Sequence, residues 1–216
     1  KMSPDNQNSG WQAGYQPSWE NIGTFSNIHE WTLSGLGVFP TNGELETKVG
    51  DELKPETGYR SRIDKKTEKA PLGSYQVRLK DYDIKAEITA TTRCGFSRFT
   101  FPEDRDHSRV LVDLQIPAEY EYHLEEVYLR KESAHRVVGY ADQHSPRVWS
   151  DDAEQDYTVH FVLEFDQPIE QMGYWINDSI AYGDTIQAGR VEDAGAFFEF
   201  DTDSEKQVVQ LRSGIS

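Results

Sequence analysis

The residues best suited to contact a ligand are concentrated near the beginning of the chain. From Trp11 to Trp31 the sequence holds tryptophans, tyrosine and phenylalanine among several glycines, without the period of a strand or a helix. Aromatic rings in such a loop stack on the CH faces of a pyranose, while neighbouring polar side chains bind its hydroxyl groups. The residues predicted to face such a ligand are Trp11, Tyr15, Trp19, His29, Glu30 and Trp31.

A structural role is the alternative for these aromatic residues. A single tryptophan beneath a long loop most simply caps the hydrophobic core. The cluster that includes His29-Glu30-Trp31 is different, because it brings donors and acceptors next to the rings. The composition of this segment is consistent with both interpretations.

Sequence motifs for other chemistry are missing. The six histidines are scattered, no pair has the HExxH spacing, and the single cysteine is Cys94, so the spacing gives little support for a zinc site. No GxSxG elbow, P-loop or GxGxxG before a helix occurs. His160 lies in an apolar run and is predicted to be a half-buried structural histidine. The acidic run 151–156 is predicted to be a solvated loop, because it lacks the spacing of a calcium-binding EF-hand loop.

The charge of the chain limits its partners. Its 216 residues carry 22 basic and 38 acidic side chains, which gives a formal net charge of −16. A field of this sign repels phosphate backbones and anionic lipid headgroups, so neither nucleic acid nor a membrane is an expected partner. A neutral polysaccharide is compatible with this charge.

Hydrophobic periodicity predicts an all-β fold. After residue 73 the sequence alternates β-branched or aromatic residues with polar ones in short runs separated by turn residues, and the clearest run is Val110, Val112, Leu114 and Ile116. Segment 120–130 has a composition that also suits a helix, but a strand is favoured there. Residues 1–71 are expected to include short strands whose positions the pattern does not define. The fold class predicted is an antiparallel β-sandwich.

The two ends of the chain predict a fragment. Lys1 is not an initiator methionine, and the terminal run from Val208 to Leu211 has the composition of a strand that ends close to Ser216. We therefore expect residues 1–216 to be a single β-sandwich domain, truncated at both ends from a longer chain.

Two stretches in the first half of the chain share an order and spacing with a known family. The first comprises Ser3-Pro4-Asp5, Gly10-Trp11, Gly14-Tyr15, Phe25-Ser26 and His29-Glu30-Trp31-Thr32-Leu33-Ser34-Gly35-Leu36-Gly37. The second comprises Tyr59-Arg60-Ser61-Arg62, Glu68-Lys69-Ala70, Gly73-Ser74-Tyr75-Gln76-Val77, Ala86-Glu87-Ile88-Thr89-Ala90-Thr91, Arg93-Cys94-Gly95-Phe96 and Arg98-Phe99-Thr100-Phe101-Pro102. Together they resemble the N-terminal domain of glycoside hydrolase family 92, the calcium-dependent exo-α-mannosidases.

This resemblance implies a fold, an activity and partners. The fold would be a large β-sandwich of the galactose-mutarotase or supersandwich type, followed in the parent chain by a catalytic (α/α) barrel domain that is absent from these residues. The parent enzyme would hydrolyse terminal α-mannosides of glycans or mannan with inversion. The family places the general acid and base in the second domain, so no catalytic residue is assigned here. Calcium would be bound mainly outside residues 1–216. The parent would be secreted, periplasmic or on the surface of a bacterium.

One departure from the family pattern concerns substrate choice. Many relatives have a His-x-His pattern where this chain has Asn27-Ile28-His29-Glu30-Trp31. The linkage that the enzyme accepts therefore does not follow from the resemblance. Two other functions share the same strand pattern, namely a free-standing carbohydrate-binding module without chemistry and a purely structural sandwich domain.

Overall fold

The structure is a computed structural model that describes residues 2–6, 14–29, 34–103, 106–115, 123–145, 155–202 and 207–216. These residues form strands, turns and irregular segments, and none of them is helical. Within these ranges no helix of the length and apolarity that crosses a membrane is therefore found.

Seventeen strands are present in the described residues. In chain order they are β1 (Ser3–Asp5), β2 (Asn21–Ile22), β3 (Thr24–His29), β4 (Ser34–Thr41), β5 (Ser61–Arg62), β6 (Ser74–Leu79), β7 (Ile84–Ala90), β8 (Cys94–Thr100), β9 (Ser108–Asp113), β10 (His123–Lys131), β11 (Arg136–Ser145), β12 (Gln155–Phe165), β13 (Gln171–Ile176), β14 (Ser179–Tyr182), β15 (Thr185–Ala188), β16 (Ala194–Phe200) and β17 (Val208–Ile215).

The strands form two large antiparallel sheets and one small one. The seven-stranded sheet has the order β1-β3-β4-β9-β16-β13-β14, and the eight-stranded sheet has the order β15-β10-β11-β12-β17-β8-β7-β6. The pair β2-β5 stands apart from both. The fold class predicted from the sequence, an antiparallel all-β sandwich, is confirmed, and the described part of segment 120–130 belongs to strand β10 rather than to a helix.

Aromatic rings join the two large sheets. Phe25 of β3 packs against Phe99 of β8 with ring centroids 6.2 Å apart. Phe165 of β12 packs against Phe198 and Phe200 of β16 at 5.3 and 5.0 Å. Burial of each such ring contributes about 1.5–3 kcal/mol relative to exposure. The alternating runs of the sequence therefore supply the inner faces of the sandwich, as expected for period-two patterning.

The central strand β9 is buried on both faces, which its alternating sequence does not predict. Arg109, Leu111 and Asp113 point away from the second sheet but are each at most 5% exposed. The reason is an additional layer formed by the chain before β6. The Tyr59 hydroxyl donates to Asp113 Oδ2 at 2.6 Å, and Arg109 Nη1 donates to the Gly43 carbonyl at 2.7 Å.

Several strand ends of both sheets meet at one end of the sandwich. Gln143 Nε2 of β11 donates to the Leu114 carbonyl just after β9 at 2.7 Å, and Ser213 Oγ of β17 donates to Asn27 Oδ1 of β3 at 2.6 Å. Strands β3 and β9 end here, and β4, β8 and β10 begin here. Segments 30–33, 116–122 and 146–154, which connect strands at this end, lie outside the described residues. We call this the open end of the sandwich.

Candidate functional site

A polar cleft lies at the open end between β3 and the turn that connects β7 to β8. Its volume is about 390 Å³. Polar atoms from this turn face it, and its lining includes Met2, Asn27, Thr92, Arg93, Cys94 and Ser216. Cys94 is a free, exposed thiol. The mixture of hydroxyl, amide and guanidinium groups suits a neutral polar ligand better than an apolar one.

The backbone beside this cleft departs from a regular ladder. Ser26 pairs with Gly37 and Ile28 pairs with Gly35, so that Asn27 and Leu36 are left out of the register between β3 and β4. Leu36 is buried and has a φ of 55°, a left-handed conformation that is unusual for a large side chain. Asn27 Nδ2 donates to the Leu36 carbonyl at 3.0 Å. Local strain of this kind is concentrated at functional sites.

A buried hydrogen-bonded group ties β1 to the end of β3. The carboxylate of Asp5 accepts a hydrogen bond from Ser26 Oγ at 2.8 Å and another from His29 Nδ1 at 2.5 Å. Asp5 and Ser26 are almost fully buried, and His29 is 9% exposed. Because a carboxylate only accepts, Nδ1 carries the proton and the ring orientation is fixed. The imidazole of His29 is thus held in one tautomer next to segment 30–33.

Of the other predicted site residues, the structure describes two, Tyr15 and Trp19. Tyr15 is half-buried, with its ring centroid 5.5 Å from that of Tyr75 on β6, and Trp19 is half-buried against the hydrophobic core. The ring of Tyr75 lies in turn 6.4 Å from Phe25, on the strand that carries His29. Tyr15 and His29 therefore lie along the same edge of the sandwich. Their contact with a sugar stays a prediction.

The remaining predicted residues, Trp11, Glu30 and Trp31, lie outside the described residues.

The hydroxyl of Tyr75, whose ring packs against Tyr15, donates to Glu68 Oε1 at 2.8 Å. Burial, together with the negative charge of Glu68, raises the pKa of Tyr75 far above its usual value. Tyr75 is therefore a neutral structural element beneath the predicted aromatic segment.

A second group of polar side chains was not predicted by the sequence spacing. His123 begins β10 and lies directly opposite His144 near the end of β11, with ring centroids 4.3 Å apart. His123 Nε2 and Glu125 Oε1 are 2.7 Å apart, and the hydrogen bond from His123 lowers the pKa of the Glu125 carboxyl. His123 and His144 are far apart in the sequence and become neighbours through the register of β10 and β11, so no linear motif reveals the group.

The prediction for His160 is wrong. His160 was predicted to be half-buried, but it is exposed on the outer face of β12, with its ring 5.6 Å from that of Tyr140. The alternation of the strand explains this, because Val159 and Phe161 occupy the inner face. The acidic run 151–156 was predicted to be a solvated loop. Residues 151–154 lie outside the described residues, whereas Asp156 is exposed but belongs to β12 rather than to a loop, 2.8 Å from His144 Nδ1.

The family of the chain follows from a match over its whole length. The model of the glycosyl hydrolase family 92 N-terminal domain matches residues 1–216. The chain therefore belongs to this family, as the resemblance of its two motif-bearing stretches predicted. The chain has no significant match among curated proteins.

Solved structures show the same fold. The family GH92 α-mannosidase BT3965 from Bacteroides thetaiotaomicron aligns over 100% of this chain with a TM-score of 0.81 and 25% sequence identity, and this alignment covers 29% of that enzyme. The same enzyme in complex with mannoimidazole aligns with a TM-score of 0.79. The family GH92 inverting mannosidase BT2199 from the same organism aligns over 100% of the chain at 19% identity, with a TM-score of 0.72 and 26% of that enzyme covered. The chain thus spans less than a third of these enzymes.

Proposed function

We propose that residues 1–216 form the N-terminal domain of an inverting exo-α-mannosidase, which hydrolyses terminal α-mannosides of glycans or mannan. The observation that carries this proposal is the alignment of the entire chain with the α-mannosidase BT3965. The open end of the sandwich, with its polar cleft and fixed His29, is the part of this domain that we assign to the substrate pocket.

Catalysis by inversion requires groups that this domain is not proposed to supply. One carboxylic acid protonates the leaving oxygen, and a carboxylate roughly 6.5–9.5 Å away activates water on the other face of the sugar. We propose that both lie in a following catalytic domain. The N-terminal domain formed by residues 1–216 would then form one wall of the pocket. His29 and Glu30 would bind hydroxyl groups, and the rings of Trp11, Tyr15, Trp19 and Trp31 would pack on the sugar.

Calcium is proposed to be bound mainly outside this domain. Calcium takes six to eight oxygen ligands. In the parts of the chain that the structure describes, the one group of three or more His, Cys, Asp or Glu side chains close enough to share an ion contains two imidazoles. This donor set does not fit calcium.

Release of mannose tests the proposed function directly. The full-length enzyme that carries this domain is incubated with yeast mannan, with calcium and again with a calcium chelator. We expect mannose to be released with calcium and release to fall strongly with the chelator. A folded enzyme that releases no mannose under either condition contradicts the proposal, and it would favour the carbohydrate-binding module without chemistry.

The aromatic segment gives a second test. In the full-length enzyme, Trp31→Ala is expected to raise KM about tenfold, equivalent to ~1.4 kcal/mol of lost binding, with the melting temperature almost unchanged. Trp175 provides the comparison, because it is fully buried and its Nε1 donates to Asp193 Oδ1 at 2.9 Å. Trp175→Ala is expected to lower stability by about 3–5 kcal/mol. A Trp31→Ala variant that loses stability and keeps its KM would place Trp31 in the core.

A further inference from the structure

We propose that His123, Glu125 and His144 form a binding site for a divalent transition-metal ion, with zinc as the first candidate. One ligand atom from each residue lies within 4.8 Å of the others. The site lies at the open end of the sandwich, but it uses none of the residues assigned to the sugar pocket, and its donor set does not suit calcium. The proposal is therefore independent of the proposed function.

A β-bulge brings the three side chains together. Leu124 pairs with Gln143 and Glu126 pairs with Asp142, so that Glu125 is an extra residue in β10 without a partner in the register. Bulges of this kind redirect a side chain and are frequent next to functional sites. Here the bulge lets Glu125 reach the Nε2 atom of His123 at the beginning of the same strand.

The backbone already places the three side chains close together, but one imidazole must rotate out of the stack, because nitrogen lone pairs in nearly parallel rings do not converge on one ion. His123 is 6% exposed, so its imidazole is already confined by the surrounding protein. Zinc would replace the hydrogen bond between His123 Nε2 and Glu125 Oε1 by two coordinate bonds of about 2.0–2.2 Å. The imidazole of His144, now stacked 4.3 Å from that of His123, would supply the third ligand after this rotation.

A carboxylate behind His144 is the second observation that points to a metal. His144 Nδ1 lies 2.8 Å from Asp156 Oδ1, across the β11-β12 register. A hydrogen bond from Nδ1 to this carboxylate would leave Nε2 as the nitrogen with a lone pair. A carboxylate that holds the distal nitrogen of a ligating histidine is the usual outer partner in zinc sites. Asp156 is thus proposed as a positioning residue.

The donor set decides the class of ion. Two imidazoles and one carboxylate are a ligand trio of zinc sites that keep a fourth position for water. Imidazole suits zinc, copper, nickel and iron, whereas magnesium and calcium prefer oxygen donors. Cobalt(II) occupies zinc-type sites of this kind and is visible spectroscopically, which makes it the probe of choice.

The test uses the full-length enzyme, stripped of metal and then kept in saturating calcium so that calcium sites remain filled. Titration with Co²⁺ is expected to give a d–d absorption band at one equivalent, and Zn²⁺ is expected to abolish it. Glu125→Gln changes an exposed side chain and is expected to weaken zinc binding at least tenfold in calorimetry, while His144→Ala should weaken it further. His160→Ala removes an exposed imidazole of the same sheet and should leave the affinity unchanged.

The Asp156→Asn variant tests whether Asp156 orients His144 without itself binding the ion. It is expected to weaken zinc binding by about 10- to 100-fold without changing the stoichiometry. Zinc should also raise the melting temperature of the unaltered enzyme, because an ion that binds only the folded state stabilises it. Failure of the unaltered enzyme to bind Co²⁺ or Zn²⁺ would overturn the proposal. Binding that survives unchanged in a Glu125→Gln, His144→Ala double variant would overturn it as well.

Discussion

Replacing Arg60 by methionine is expected to lower the free energy of unfolding of this domain by about 3–5 kcal/mol. The side chain is 1% exposed, and its guanidinium donates to Asn6 Oδ1 at 2.6 Å, to Asn21 Oδ1 at 2.5 Å and to the Val49 carbonyl at 3.2 Å. A methionine fills a similar volume but leaves these buried acceptors without a donor. Each acceptor so orphaned costs about 1–3 kcal/mol, partly offset by relaxation.

The guanidinium joins three segments of the chain. Asn6 follows β1, Asn21 begins β2, and Val49 belongs to the layer that covers the seven-stranded sheet. Burial lowers the pKa of Arg60, but the ordinary value for arginine is so high that the group stays protonated. Arg60→Lys is expected to recover little stability, because one ammonium has three donors and lacks the planar fork.

Urea unfolding of the full-length enzyme, read by proteolytic cleavage within residues 1–216, measures this effect. Arg62→Met is the matched control, because the Arg62 side chain is 55% exposed and pairs with Asp81 at the surface. Exposed ion pairs contribute about 0–1 kcal/mol, so the control should unfold almost like the unaltered enzyme. Equal midpoints for the two variants would show that the contacts of Arg60 contribute little.

The sequence predicts the inner faces of the sandwich well, because period-two patterning reports directly on burial between two sheets. The pattern predicts β9 wrongly, because Arg109 and Asp113 have the positions of solvent-facing residues but are buried under the layer formed by the chain before β6, which includes Tyr59. A polar side chain that gains a buried partner from a distant segment has no local signature. The same reason explains why the strands before residue 71 could not be placed. Strands β1, β2 and β5 have two or three residues each, and the longer β3 and β4 are buried on both faces, so none of them shows a clear alternation.

The candidate site was predicted in part by composition and in part by family resemblance. Composition identified the aromatic segment, and the resemblance marked Ser3-Pro4-Asp5 and the run beginning at His29. Neither indicated that Asp5 contacts His29, since this contact requires β1 to pair with β3. The grouping of His123 with His144 depends in the same way on the β10-β11 register. The spacing of residues along the sequence cannot predict contacts that form only when strands pair.

Replacing Asp5 by asparagine in the full-length enzyme is expected to lower kcat/KM for mannoside hydrolysis about 100-fold. The carboxylate holds the His29 ring through Nδ1 at 2.5 Å, and asparagine can present its amide nitrogen to that atom instead of an acceptor. The ring then loses its fixed tautomer and orientation. A displacement of about 1 Å in a positioning group is enough for a loss of this size. This prediction rests on the proposed function, in which His29 binds a sugar hydroxyl.

Ser26→Ala is the control, because it removes only the second hydrogen bond to the same carboxylate, at 2.8 Å, and leaves the bond to His29 in place. Its expected loss of stability is about 1 kcal/mol, with kcat/KM within a factor of a few of the unaltered enzyme. His29→Ala should reproduce the kinetic defect of Asp5→Asn, and the double variant should be no slower than either single one, since residues that act as a unit are not additive. If Asp5→Asn instead lowers the melting temperature and leaves kcat/KM unchanged, the buried group serves to attach β1 to β3, and the sugar-binding role of His29 is wrong.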